Sequence, residues 1–306
     1  MPGVEEADFH QSIAAEARLP FDLEHGPVFR AHLFIRSAAE EILLLNFHHI
    51  ISDGYSIRTF LHEFGRLYPA FCGDTDVRGL TTAAPYGDFV AWQEGLLAGD
   101  DGERMWAYWR SQFVDHEPDL ALPTDRPRAA LASHTGSVVS LDMDKPVVER
   151  LERLAHQEKV TLATVLLHRY CDQDDITLYV PRLGRPAGDF SGTLGYFVTL
   201  AALQQEFSGN PTFLDHLQRV RQLMRCARSH EHFPIPLLLE KLKLPPAADR
   251  NPLAQAVFNF IPEAVSSLGF TPCDVDLSGL PAQIRLCETD IWIDLDFRIL
   301  AGMTCH

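Results

Sequence analysis

The segment "VFRAHLFI" at 28–35 puts Phe29, Ala31, Leu33 and Ile35 on one face at period two, and "EILLLNF" at 41–47 follows after a polar connection. Such runs predict a β-hairpin. Directly after it the period changes: Ile57, Phe60, Leu61, Phe64, Leu67 and Tyr68 recur at helical spacing, with Ser52 and Asp53 in place to cap a first turn. The polar, glycine-containing stretch "CGDTDVRGLTTAA" at 72–84 reads as a boundary, giving units of 1–80 and 81–306. Beyond it, "YGDFVAWQEGLL" and "RMWAYWRSQF" predict aromatic-rich helices. Further helices are expected over 146–158 and 213–228, the second from the stripe Phe213, Leu217, Val220 and Met224. Strands are expected over 176–180, 196–206, 255–260 and 291–299. The fold class is therefore α/β of the α+β type. The irregular order and the lack of a glycine-rich phosphate loop argue against a doubly wound nucleotide-binding sheet.

Composition narrows the function classes. A chain of 306 residues with 46% hydrophobic positions can build one large core or two ordinary ones. A net charge of -16 argues against binding nucleic acid or an anionic membrane non-specifically. The six cysteines lie far apart without a Cys-x-x-Cys pair, which predicts reduced thiols and a cytoplasmic protein rather than a zinc ribbon or a disulfide scaffold. The opening "MPGVEEADFHQ" is acidic where an export signal would be basic and then apolar. No apolar run approaches the roughly 20 residues of a membrane-spanning helix.

The chemistry concentrates in "HHIISDG" at 48–54, between a strand's end and a helix's start. Side chains there can project into a cleft from an anchored backbone. A histidine takes a proton near neutral pH if its other nitrogen is held so that one tautomer presents a lone pair. Asp53 could hold that geometry, or pair with an arginine and hold the loop. Gly54 permits a turn that other residues resist. On the residues alone, a general base competes with histidines that simply end a strand. A metal site is less favoured, because adjacent strand side chains point to opposite faces.

The motif "HHIISDG" resembles the active-site signature of the condensation domains of non-ribosomal peptide synthetases, which share the two-lobed fold of chloramphenicol acetyltransferase-like acyltransferases. Further stretches stand in that family's order: "YGDFVAWQ" at 86–93, "LPTDRPR" at 122–128, "HRYCDQDDI" at 168–176, "LGYFVTLAAL" at 194–203, "SGNPTF" at 208–213, "HEHFP" at 230–234 and "RNPLAQAVFNF" at 250–260. The resemblance implies two lobes with the active site at their interface, in a tunnel reached by two carrier-bound thioesters. It implies that His49 is the residue on which amide formation centres, either removing the amine proton or positioning the amine and stabilising the tetrahedral intermediate. It makes His48 structural, Asp53 an ion-pair partner, and Gly54 the place where backbone approaches the donor arm. Ser56, Thr199 and Asn259 become substrate-contacting positions, with Thr199 standing where the family has asparagine. No cofactor or metal is implied within the domain, since the phosphopantetheine arms belong to carrier proteins. Those carriers and other synthetase modules are the implied partners.

Departures from the family pattern modify this picture. The chain has neither the Ser-x-Ala-Gln nor the Arg-His-Glu-x-Leu-Arg stretch that precedes the paired histidines in the family, so the first lobe is expected to be incomplete. An arginine of the second stretch is the usual partner of the motif's aspartate, and Arg185 in "RLGRP" is its expected substitute here. The segment "TLATVLLH" at 161–168 is shorter than the corresponding family helix, and the chain stops soon after its last strand. Two functions follow: a condensation enzyme forming an amide, with ester formation as a variant, or a degenerate module that docks carrier or synthetase domains without turnover. Among the remaining residues, His230 and His232 are weak metal candidates. The arginines at 219, 221, 225 and 228 form a solvated helix face that could meet an acidic carrier.

Overall fold

The computed structural model describes residues 6–37, 40–71, 82–113, 144–157, 175–186, 188, 190–206, 209, 211–244, 251, 253–254, 256–259, 285–288 and 300–304. Helix α1 (Glu6–Ala17) leads into the antiparallel pair β1 (Phe29–Ser37) and β2 (Glu40–His48), with Phe29 opposite Phe47 and Leu33 opposite Leu43. A single 3-10 turn, His49–Ile51, then joins β2 to helix α2 (Gly54–Phe71). Two strands from the far end of the chain, β5 (Arg285–Glu288) and β6 (Leu300–Thr304), complete this sheet in the order β1-β2-β6-β5, with β6 parallel to β2. The sheet therefore draws on both sides of the 80/81 division.

The alternation along β2 explains its continuous apolar run. Ile42 and Leu44 point to one face, where Phe9 and Ile13 of α1 bury them. Leu45 and Phe47 point to the other, against Ile57 and Leu61 of α2. A strand buried on both faces needs hydrophobic residues at every position, as "ILLLNF" supplies. Asn46, also buried, donates from Nδ2 to the carbonyl of Ala17 at 2.9 Å and so satisfies the end of α1. Among its described side chains, helix α1 buries Phe9 and Ile13, too few for its period to announce it from sequence. On β1 the predicted apolar face is covered only in part. Phe29 packs with Phe47 and Phe60, but Ala31, Leu33 and Ile35 are exposed because the cover of α2 ends over Phe29 and β2.

The second body is built on the antiparallel pair β3 (Asp175–Arg182) and β4 (Thr199–Glu206). Helices α3 (Tyr86–Ala98), α4 (Asp100–Phe113), α5 (Lys145–Gln157), α6 (Phe213–Ser229) and α7 (Ile235–Leu242) accompany it. Its core gathers Met105, Trp109 and Phe113 of α4 with Tyr179, Ala201, Ala202, Leu203, Ala227, Phe233 and Leu238. Trp109 lies wholly in this core and donates from its indole to the carbonyl of His230 at 3.1 Å. Helix α6 opens on a capping box, with the Thr212 hydroxyl accepting from Asp215 N and Asp215 accepting from Thr212 N. The architecture is mixed α/β.

Two expected strands differ from the structure. The strand expected over 196–206 begins only at Thr199, because the backbone groups of Gly195 and Phe197 are bonded to side chains at the start of α2 and not to a ladder. Among the described residues of 255–260 the expected strand is a single bridge, Val257 to Tyr179, with Tyr179 N donating to the carbonyl of Ala256 and Phe258 N to the carbonyl of Tyr179. The segments 72–81, 161–168 and 291–299 lie outside the described residues. No helix among the described residues is long and apolar enough to cross a membrane.

His230 and His232 fall in the turn between α6 and α7. His230 stacks on Tyr108 at 4.0 Å between centroids and bonds through Nδ1 to the carbonyl of Cys226. His232 lies edge-on to Trp92 at 5.0 Å. Burial pushes its imidazole below the ordinary 6.5, while Glu231 and the Gly184 carbonyl act in the opposite direction. The folded chain thus favours the neutral ring. Below pH 6.5 the unfolded chain takes up a proton that the folded chain resists, so this stability is present above that pH and lost as pH falls through the depressed folded value. Urea unfolding is expected to show a steeper fall in stability from about pH 7 to about pH 5 in the wild type than in His232→Gln. Parallel pH profiles would contradict this assignment.

Candidate active site

The two adjacent histidines are held by backbone groups of opposite kind. His48 ends β2, and its Nδ1 accepts from Ile50 N at 3.0 Å, capping the 3-10 turn. An accepting Nδ1 places the proton on Nε2. His49 Nδ1 lies 2.6 Å from the carbonyl oxygen of Ser52, which can only accept. Its Nδ1 must therefore carry a proton, so that in the neutral ring the lone pair lies on Nε2. The pair is held as opposite tautomers. His48 is buried beside Phe21 at 5.7 Å, whereas His49 is half-buried and meets the ring of Tyr196 at 5.1 Å.

Asp53 immediately precedes α2 and is 1% exposed. Its Oδ1 accepts from Ser56 N at 2.7 Å, the N-cap bond that starts the helix. Its Oδ2 accepts from Phe197 N at 3.0 Å, 144 residues away in sequence. The carboxylate is thus bonded to both bodies of the fold. Gly54 is the first residue of α2 and half-buried.

Arg185 lies over this carboxylate, with Nη2 3.8 Å from Asp53 Oδ1. Its hydrogen bonds go to the carbonyls of Phe190 and Thr193, at 2.5 and 2.7 Å from Nη1, and to Ser56 Oγ, at 3.0 Å from Nη2. The guanidinium also rests on the Phe197 ring at 3.7 Å. Burial disfavours its charged form, and the charge of Asp53 opposes that effect. The relation between the two charges is therefore close but carried partly through Ser56.

Ser56 corrects an expectation. It was expected to touch substrate, yet it is 1% exposed and its hydroxyl is fully engaged. Oγ donates to the carbonyl of Gly195 at 2.7 Å and accepts from Gly195 N and Arg185 Nη2. A hydroxyl has one proton and two lone pairs, and all three are used. Ser56 is a clamp between α2 and the segment 190–197. Thr199 is half-buried at the start of β4, paired with Arg182, and packs its methyl near Gly184. Asn259 is exposed two residues beyond the Val257 bridge to β3, on the second body.

Several residues of the site had no role assigned from sequence. Tyr86 donates to the carbonyl of Tyr196 at 2.6 Å, and burial, followed by the charge of Asp53, pushes its phenol up so that it keeps its proton. Gly195 must be glycine, since a Cβ there would run into the Tyr86 ring. Gly184 has φ +60, and a Cβ on it would meet the carbonyl of Phe197. Local sequence carried no signal for them: Thr193 and Gly195 are buried while the apolar Leu194 and Tyr196 are exposed, largely the reverse of a hydrophobic alternation.

The family model for the condensation domain matches residues 3–284. The chain belongs to the condensation-domain family of non-ribosomal peptide synthetases. It is 34% identical over 298 residues to a linear gramicidin synthase of Brevibacillus parabrevis, covering 94% of this chain and 4% of that protein. It is 34% identical over 297 residues to a chondramide synthase of Chondromyces crocatus, covering 93% of this chain and 8% of that protein. This condensation-family chain thus spans a small part of its curated relatives. In structure it is similar to the X-domain from teicoplanin biosynthesis, at 26% identity and TM-score 0.72, over 84% of this chain and 60% of that one. The fold is also that of the first condensation domain of the calcium-dependent antibiotic synthetase, at 21% identity and TM-score 0.60, over 83% of this chain and 56% of that one.

Removing the shared carboxylate leaves a buried arginine without its counter-charge and a helix without its cap. Asp53→Ala is expected to lower stability by about 3 kcal/mol in urea unfolding. Asp53→Asn should cost less, because its amide oxygen can still accept from Ser56 N. Gly195→Ala should cost about 2 kcal/mol by overpacking against Tyr86. Unchanged unfolding midpoints would show that the clamp contributes nothing.

Proposed function

We propose that this condensation-domain chain is an acyltransferase that forms an amide between two carrier-bound groups. The observation that carries the proposal is the tautomer of His49: with Nδ1 donating to the Ser52 carbonyl, Nε2 is an acceptor on a half-buried ring. The amine of an acceptor aminoacyl thioester attacks the carbonyl carbon of the donor thioester. A carbon–nitrogen bond forms, the carbon–sulfur bond breaks, and the proton lost by nitrogen passes by way of Nε2 to the departing thiolate. His49 acts as proton acceptor in this reading, and the same Nε2, once protonated, can donate toward the tetrahedral intermediate. Both substrates arrive on phosphopantetheine arms of carrier proteins, so the domain itself needs no cofactor.

In this proposal the two bodies of the fold are two lobes and the reaction takes place at their interface, where Asp53 and Ser56 of one reach Phe197 and Gly195 of the other. Asp53, Arg185 and Ser56 then hold the geometry rather than move protons. Thr199 and Asn259 are the proposed substrate-side positions, and 81–306 with its β5 and β6 excursion is the second lobe. A docking role without turnover is the second reading. It is favoured by likeness to the teicoplanin X-domain, which has itself been solved in complex with OxyB.

Single-turnover assays with loaded donor and acceptor carriers, read by the mass of the carrier-bound product, separate the two. The wild type is expected to form the amide, and His49→Ala to lose roughly 100-fold in rate, as for removal of a general base. Equal rates would remove His49 from the mechanism. A folded wild type that binds both carriers and yields no product would support docking.

A further inference from the structure

The Ser52 carbonyl restrains His49 at one atom only. A ring tethered through Nδ1 can still swing about that hydrogen bond, which would move Nε2 away from any fixed substrate. A second contact is needed to set the ring plane. Tyr196 makes it: the two rings meet edge-to-face, with centroids 5.1 Å apart and planes at 78°. Pairs of that geometry are favourable and directional.

The mounting of Tyr196 is more rigid than its exposure suggests. It is 39% exposed, yet its neighbours on both sides are tied to the start of α2. Gly195 exchanges bonds with Ser56 Oγ through both N and O, and Phe197 N donates to Asp53 Oδ2. The carbonyl of Tyr196 accepts from the Tyr86 hydroxyl. Around the bend at Gly195 the residues 193, 195 and 197 are buried while 194 and 196 are exposed, and the exposed Tyr196 ring lies on the side where it meets His49. Helix α2 begins at Gly54, shortly after Ile51 ends the turn that carries His49. The segment bearing Tyr196 and the turn bearing His49 are thus referenced to the same buried carboxylate.

We infer that Tyr196 is a positioning residue for His49, fixing the imidazole plane so that Nε2 points in one direction. The inference rests on the acyl-transfer reading and deepens it by naming the side chain that aims the proton acceptor. It requires the aromatic ring of Tyr196 and not its hydroxyl.

The test uses the full chain labelled with carbon-13 and nitrogen-15 histidine, with the His49 signals assigned by their loss in His49→Ala. Tyr196→Ala and Tyr196→Leu remove the ring, the second keeping apolar bulk in case the first does not fold; Tyr196→Phe keeps the ring. Loss of the ring is expected to shift and broaden the His49 ring resonances and to slow single turnover about ten-fold at unchanged carrier binding, near the upper size of an aromatic-pair contribution. Tyr196→Phe should restore both the spectrum and the rate. His49 resonances unmoved by Tyr196→Ala or Tyr196→Leu would overturn the inference, as would an unchanged rate while His49→Ala is inactive, which leaves the acyl-transfer reading standing. Equal losses in Tyr196→Phe and Tyr196→Ala would also overturn it by assigning the effect to the hydroxyl. If the wild type itself gives no product, the acyl-transfer reading fails, and the orientation claim is decided by whether the ring spectrum moves on loss of the aromatic side chain and returns in Tyr196→Phe.

Discussion

One buried carboxylate organises the site. Asp53 caps α2 through Oδ1 and ties down Phe197 through Oδ2, so a single side chain both starts a helix of the first body and anchors a segment of the second. Taking a charge out of water is costly, and the cost is offset here by two backbone donors and a guanidinium 3.8 Å away. Every other feature of the site refers to this point. Ser56, in the first turn of α2, repeats the connection with Gly195, and Arg185 closes it by bonding Ser56 and two carbonyls of the same crossing segment.

The arrangement separates two jobs that the motif "HHIISDG" places side by side. Residues that hold geometry are buried and bonded to backbone: His48 as cap of the 3-10 turn, Asp53 as cap of α2, Ser56 as clamp. His49 is the exception, half-buried and with the lone pair of its ring directed away from its backbone partner. Opposite tautomers on neighbouring histidines follow from nothing more than one facing an N–H and the other a carbonyl. In the proposed acyl transfer, chemistry rests on that one side chain while its surroundings are held by buried hydrogen bonds, which is the condition under which a positioned base or donor is effective.

Burial also determines where the chain could not vary. β2 is apolar on both faces because a helix covers each, and Gly195 lacks a side chain because the Tyr86 ring occupies its space. The outer part of β1 shows the converse. Its Ala31, Leu33 and Ile35 alternate as a buried face would, yet stand exposed because no described element lies over them.

Local sequence determined the elements with strong periods: the β1–β2 hairpin, the amphipathic α2 and α6, and the histidine pair at the junction of strand and helix. It determined the family too, since ordered motifs along the chain do not depend on coordinates. The weakly patterned α1 and the start of β4 were not legible: the first has two apolar anchors, and the second begins late because side chains about 140 residues away take over the backbone bonds before it. Only tertiary structure decided that Ser56 is a clamp, that Arg185 lies beside Asp53 and is bonded to Ser56 as well, and that Tyr196 meets His49. Those facts depend on which groups are brought together from distant parts of the chain and on how many of their hydrogen bonds remain unused, and a linear pattern of residue types records neither.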